Sequence, residues 1–197
     1  MRPSTGKRTR QFDLAGLLRP DHLAWIDEGR TRLSDFDFGS RQLQSEPLCC
    51  AAFEVGEIEA LGSGPFSNRR VGYITGGRFE GARLRGDILP GGGNWPLDAV
   101  DVDGAAIGTF DARSVWRTDD GAVIYLTYTG RSRIPAEVGR AFRDPARPHV
   151  DPSSYKLHIA PVFETADPRY AWLNSILAVG CGERTASGVR HYIYAIL

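Results

Sequence analysis

From about Leu48 onward the chain is written in short runs of alternating or β-branched residues, broken by glycine every few positions. That pattern admits little besides an all-β sandwich or barrel, because period-two alternation buries one face of each strand and each glycine ends or bends a run. The predicted strands are 49–57, 70–75, 81–89, 105–117, 122–130, 155–164, 176–182 and 189–196. About eight strands of this length suit a closed antiparallel β-barrel, and closure removes the unpaired edges an open sheet would leave. Asp119-Asp120-Gly121 lies between two strand patterns where a tight hairpin is expected, and Asp103-Gly104 opens another strand. Glycines 76, 77, 81 and 86 stand inside or beside strands, as bends and bulges at barrel corners require.

Residues 1–47 read differently, as a polar stretch with short apolar clusters and no sustained alternation. Asp21 is placed to cap a short helix carrying Leu23, Trp25 and Ile26 that stops at Gly29. The expected organisation is therefore a partly helical N-terminal extension, 1–47, and a β-barrel domain, 48–197. The extension packs on the barrel or on a partner subunit, which leaves a homo-oligomer as one arrangement. The long irregular segment 131–154 carries Pro135, Pro145, Pro148 and Pro152 and a helical turn over 136–142; it reads either as a lid or binding loop or as a disordered insertion.

Lysine plus arginine equals aspartate plus glutamate at 24 each, so no overall field gathers nucleic acid or an anionic membrane. The basic start at Lys7, Arg8 and Arg10 precedes too short an apolar run for a signal-peptide core, and no stretch approaches a membrane span. Cys49, Cys50 and Cys181 form neither a disulfide framework nor a zinc spacing. A reducing cytoplasm is expected, with the cysteines as small buried hydrophobes or with a reactive thiol at Cys49 or Cys50.

Several motifs recur in order: Gly76-Gly77-Arg78-Phe79-Glu80-Gly81, then Leu84-Arg85-Gly86-Asp87-Ile88-Leu89-Pro90-Gly91-Gly92-Gly93-Asn94-Trp95, then Asp111-Ala112-Arg113. Thr118-Asp119-Asp120-Gly121-Ala122-Val123-Ile124-Tyr125, Phe163-Glu164-Thr165 and Tyr170-Ala171-Trp172-Leu173-Asn174 follow. From about Phe53 to the C-terminus the chain resembles the bacterial and fungal domain-of-unknown-function family thirty-two thirty-seven. The resemblance implies a small β-barrel, similar in outline to allene oxide cyclase and lipocalin-like barrels, and little about chemistry. The family pattern usually carries aspartate before the tryptophan, where this chain has Asn94; an acid or base at that position would be replaced here by an amide hydrogen-bonding group.

A barrel of about eight strands is just wide enough to be filled by side chains or to hold one small ligand. Asp111 and Arg113 lie two apart on one strand face, where a carboxylate and a guanidinium pair and leave donors for a ligand oxygen. Which face points inward stays open. With Tyr125 they are the candidate catalytic residues, and Asn94, Trp95 and Trp172 the candidate ligand-binding residues. Asp111→Asn is then expected to abolish turnover without a large loss of stability.

Glu80, Asp87 and Glu164 are further carboxylates that an apolar cavity would turn into acids or bases, or surface residues. Tyr125, Tyr128, Tyr192 and Tyr194 could present phenols to a ligand or belong to the core. His22, His149, His158 and His191 are widely separated with no metal-ligand spacing, so no metal is expected. Gly91-Gly92-Gly93 has no lysine and serine or threonine after it and Pro96 follows, which argues against a phosphate loop; neither Ser114 nor Ser175 sits in a hydrolase elbow.

The sequence thus favours a lyase, isomerase, hydratase or cyclase that needs no cofactor and acts on a small, largely apolar, aromatic or polyketide-type metabolite. A non-catalytic barrel for a small hydrophobic ligand is the alternative, and a structural module with a filled interior the third. The expected partner is a small hydrophobic molecule, with no nucleic acid and no membrane.

Overall fold

Large apolar side chains choose the inside face of each strand, and the rest of the fold follows from that choice. The computed structural model describes residues 42–65, 67–142 and 150–197. Its strands are β1 (Ser45–Gly64), β2 (Ser67–Glu80), β3 (Arg85–Ile88), β4 (Gly93–Asn94), β5 (Leu97–Val100), β6 (Ala106–Thr118), β7 (Val123–Ile134), β8 (Lys156–Glu164), β9 (Ala178–Arg184) and β10 (Gly188–Ile196). One short helix, α1 (Ala136–Ala141), follows β7 where the helical turn is expected. The helix starting at Asp21 and the rest of the predicted extension lie outside the described residues, as do 143–149 of the proline-rich segment.

Eight antiparallel strands close a ring in the order β1, β10, β9, β8, β7, β6, β3, β2 and back to β1. The barrel expected from the sequence is the fold of the chain. The strand expected over 81–89 begins only at Arg85, because the Gly81 N–H donates to the Leu84 carbonyl at 2.8 Å and turns the chain. The gap between β2 and β6 is then filled by three short pieces in succession: β3 beside Trp116–Thr118, β4 beside Ala112 and Arg113, and β5 beside Ala106–Thr109.

The β1–β2 ladder also runs further than expected, through Gly76 and Gly77. At Gly77 the backbone has φ +145, and a Cβ would stand 2.2 Å from the Ala52 carbonyl oxygen, so a side chain there would force the two strands apart. Asp119-Asp120-Gly121 does form the β6–β7 turn, with Gly121 at φ +89 and its N–H donating to the Thr118 carbonyl at 2.9 Å.

The end of the barrel nearest this turn is packed solid. Trp116 is fully buried and stacked on Phe79 with ring centroids 4.3 Å apart, with Phe163 edge-on at 5.9 Å. Ile88, Ile124, Leu126 and Leu173 complete the plug, each contributing about 1.5–3 kcal/mol by leaving water. The one polar group of this cluster's tryptophan is satisfied, its indole N–H donating to Ser114 Oγ at 3.0 Å. Outside the plug, Arg169 donates to Asp120 at 2.8 Å and Asp167 at 2.7 Å, tying the β6–β7 turn to the segment after β8.

Candidate functional site

At the opposite end the inward rows run out of bulk. Ala106 and Gly108 occupy them on β6, Gly72 on β2 and Gly180 and Gly182 on β9, and a cavity of about 1050 Å³ opens there. Phe53 joins the two halves: it touches Trp116 in the plug, with centroids 6.1 Å apart, and borders the cavity.

The cavity floor is built from three rings on three strands. Phe53 from β1, Tyr128 from β7 and His191 from β10 meet edge-on, with centroids 6.2 Å (Phe53–Tyr128), 5.7 Å (Phe53–His191) and 5.4 Å (Tyr128–His191) apart. Ile74, Phe110 and Leu157 form apolar walls.

His191 is the unusual member. It is 2% exposed, and neither ring nitrogen has a hydrogen-bond partner among the described residues. Burial pushes its pKa down to about 4, so the imidazole is neutral at neutral pH and carries one donor and one acceptor, both unused. An unsatisfied buried polar group costs about 1–3 kcal/mol, which a bound hydroxyl or carbonyl would relieve. Burial likewise pushes the Tyr128 phenol up, keeping it protonated as a donor, and the hydroxyl makes no hydrogen bond among the described residues.

The rim is polar. Arg70 follows the inward row of β2, with its Nε 2.5 Å from Asp98 Oδ2 of β5. Arg184 ends the inward row of β9 with its guanidinium 4.6 Å above the Phe142 ring. Asn68, Ser132 and the turn Thr185–Ser187 complete this edge.

Of the six residues expected from sequence, only Asn94 borders the cavity, and its side-chain oxygen accepts the Asp111 backbone N–H at 3.2 Å. Asp111 and Arg113 do pair, at 3.3 Å, but on the outer face with side chains 56% and 50% exposed. The expected polar centre is therefore displaced: Trp116 and Phe110 share the other row of β6 and must be buried, so alternation turns Asp111 and Arg113 to solvent. Tyr125 is outward for the same reason on β7, opposite Ile124 and Leu126. Trp95 lies 5.8 Å below the Arg113 guanidinium and Trp172 packs under Arg83 at 3.8 Å against the core; neither borders the cavity. Four cavity-bordering residues lie outside the candidate set expected from the sequence: Phe53, His191, Arg70 and Arg184. His191 carried a readable signal, since it shares a row with Ile193 and Ala195 while Arg190 and Tyr192 take the other.

A closed antiparallel barrel, plugged at one end and hollow at the other over an apolar floor, defines the class of small β-barrels with an internal ligand-sized cavity. The chain belongs to the family described as protein of unknown function DUF3237, whose model matches residues 43–196. A UPF0311 protein of Rhodopseudomonas palustris is 30% identical over 159 residues, covering 79% of this chain and 97% of that protein. The crystal structure of a beta-barrel like protein from Acinetobacter baumannii is similar at a TM-score of 0.65 and 36% identity, over 79% of this chain and 97% of that one. An enzyme from Penicillium herquei shares the fold at a TM-score of 0.54 and 21% identity, over 79% and 95% of the two chains. Among the described residues no group of three or more His, Cys, Asp or Glu side chains is placed to hold a metal ion, and no helix is long and apolar enough to cross a membrane.

Proposed function

We propose that the barrel binds a small, largely apolar molecule and acts on it, without a cofactor, as a lyase, isomerase, hydratase or cyclase, with Tyr128 and His191 handling the proton. The observation that carries this reading is His191, whose ring nitrogens find no hydrogen-bond partner among the described residues, beside the Tyr128 phenol at the cavity floor. Titratable groups perturbed by burial and gathered at a cavity are the usual mark of a working site. In this reading the Tyr128 hydroxyl donates to a substrate carbonyl oxygen and stabilises the enolate as negative charge develops there. The free lone pair of His191 takes the proton from the adjacent carbon and returns it at another, so that the net change is a moved double bond. The fold itself is compatible with catalysis, as the Penicillium herquei enzyme has it, but that likeness extends to the fold alone.

One observation favours the alternative, a non-catalytic barrel for a hydrophobic ligand: a base with a pKa of about 4 is a weak proton acceptor at neutral pH. A single experiment separates the two. The purified chain is incubated in deuterated buffer with a panel of aromatic and polyketide-type ketones, and deuterium uptake at the carbon beside the carbonyl is followed by NMR. Uptake that is lost in both His191→Phe and Tyr128→Phe supports the enzyme. Binding without uptake in any member leaves the carrier, and no binding at all removes both readings.

A further inference from the structure

We infer that the bound molecule is a singly charged anionic amphipath, a carboxylate whose headgroup is held at the rim by Arg184 and Arg70 while its apolar body reaches the floor. This rests on the reading that the barrel binds a small apolar molecule.

Alternation is the first support. The inward row of β2 is Asn68, Arg70, Gly72, Ile74, and that of β9 is Ala178, Gly180, Gly182, Arg184. Two arginines therefore stand on inward rows at the open end of the barrel, Arg184 exposed and Arg70 half-buried. Three lining side chains are ionised: Arg70, Arg184 and Asp98. Asp98 pairs with Arg70 through its Nε, and its charge also reaches Arg184. Arg184 makes no ion pair among the described residues, and the described lining keeps a net charge of +1, the difference between two arginines and one aspartate.

The second support is how Arg184 is held. Its backbone N–H donates to the Tyr155 hydroxyl at 2.9 Å, and Phe142 lies against its guanidinium at 4.6 Å, which fixes the plane while leaving the edge donors unused among the described residues. The residue keeps open surface yet is surrounded by protein on most sides, as a group in a concave rim is. Burial, and then the charge of Arg70, push its pKa down, against smaller upward pushes from Tyr155 and Asp98. The two downward effects disfavour the isolated cation and are reversed by an incoming anion.

The third support is length. Arg184 pairs with Val189 and Gly182 with His191, so Arg184 stands two residues along β9 from the level of the imidazole, roughly 7 Å of strand. A carboxylate at Arg184 thus leaves room for a bicyclic aromatic body above Tyr128 and His191.

The probes are 2-naphthoate and its uncharged counterpart 2-naphthamide, titrated by calorimetry into the full-length protein. The carboxylate should bind roughly ten- to a hundredfold more tightly, as a charge-assisted hydrogen-bonded pair predicts. That advantage should vanish in Arg184→Gln with the amide's affinity unchanged, survive in part in Arg184→Lys, and remain whole in Arg117→Gln, a change on the outer face. In wild type alone, added sodium chloride should weaken the carboxylate and leave the amide untouched, which tests the proposal even if Arg184→Gln fails to fold. Equal affinities in wild type, or an advantage that survives Arg184→Gln, would overturn the anion and leave the apolar-ligand reading standing. Failure of both probes to bind would overturn both.

Discussion

His191 sits in the space left by Gly182. The two are paired across β10 and β9, and a Cβ on Gly182 would lie 2.6 Å from His191 Nδ1 and 2.5 Å from Leu157 Cδ2. Leucine can turn aside, but an imidazole wedged against Phe53 and Tyr128 cannot do so without leaving the floor. Gly182→Ala is therefore expected to destabilise the fold by about 1–3 kcal/mol, the usual cost of overpacking. The same change made on a His191→Ala background should cost much less. Urea unfolding of the four proteins gives the coupling, and additive effects would show that the glycine and the imidazole do not compete for this space.

Acid should find His191 before it finds the carboxylates. The folded pKa of about 4 lies below the ordinary 6.5, so between these values the unfolded chain holds a proton that the folded chain does not. Stability is then full above about pH 6.5 and falls as pH drops towards 4, by about 3 kcal/mol in all. His191→Phe should flatten this window in chemical-denaturation profiles. Asp103, Asp120 and Asp167 are held below the carboxylate range by the Ala105 N–H, the Thr118 hydroxyl and the Arg169 guanidinium respectively, so their loss comes at lower pH. A profile for His191→Phe as steep as wild type between pH 4 and 6.5 would refute the assignment.

The barrel was legible in the sequence because its cause is local: alternating runs and Asp-Gly turns specify strands and hairpins one at a time. The site was less so, because it depends on which face turns inward, and that is decided by comparing bulk along whole rows. Trp116 with Phe110 outweighs Ile107 with Val115, and Ile124, Leu126 and Tyr128 outweigh Val123, Tyr125 and Thr127, so the sign of both strands was present in the letters. Arg70 and Arg184 were harder. An arginine near a strand end reads as solvated, and only the ring closure and the small residues beside them, Gly72 and Gly182, turn them into a rim.

Asp111→Asn should leave ligand binding and turnover unchanged. The Asp111–Arg113 pair is on the outer face and half exposed, where ion pairs contribute about 0–1 kcal/mol. Parallel binding and thermal-melting measurements check this, and a loss of turnover in a folded Asp111→Asn protein would return the site to the outer face.

Truncating the plug should be far more costly. Trp116→Ala removes a fully buried indole stacked on Phe79 and is expected to cost about 3–5 kcal/mol. Ser114→Ala removes a single hydroxyl but strands the indole N–H, at about 1–3 kcal/mol. Guanidinium unfolding of the two variants should preserve that order.

The three thiols should separate by rate. Burial, with Cys50 adding to it, pushes the Cys49 thiol up to about 12, whereas Cys181 is exposed and Cys50 lies between. With a chromogenic disulfide reagent Cys181 should react first and Cys49 only on unfolding. Fast labelling of Cys49 in the native protein, mapped by peptide mass spectrometry, would contradict the packing of β1 against the core.

The barrel is sewn shut by a seam between its first strand and its last, from Ser45 against Ile196 to Glu54 against Gly188. During synthesis β1 can take β2 on one side almost at once, but its other edge must wait for β10 to leave the ribosome. Until then the nascent chain is a curled sheet with two raw edges and an uncovered floor of Phe53 and Tyr128, the form in which such chains stick to one another or to chaperones. The hollow end and the closing seam share β10, so the ring that makes room for a ligand cannot close before β10 has been made.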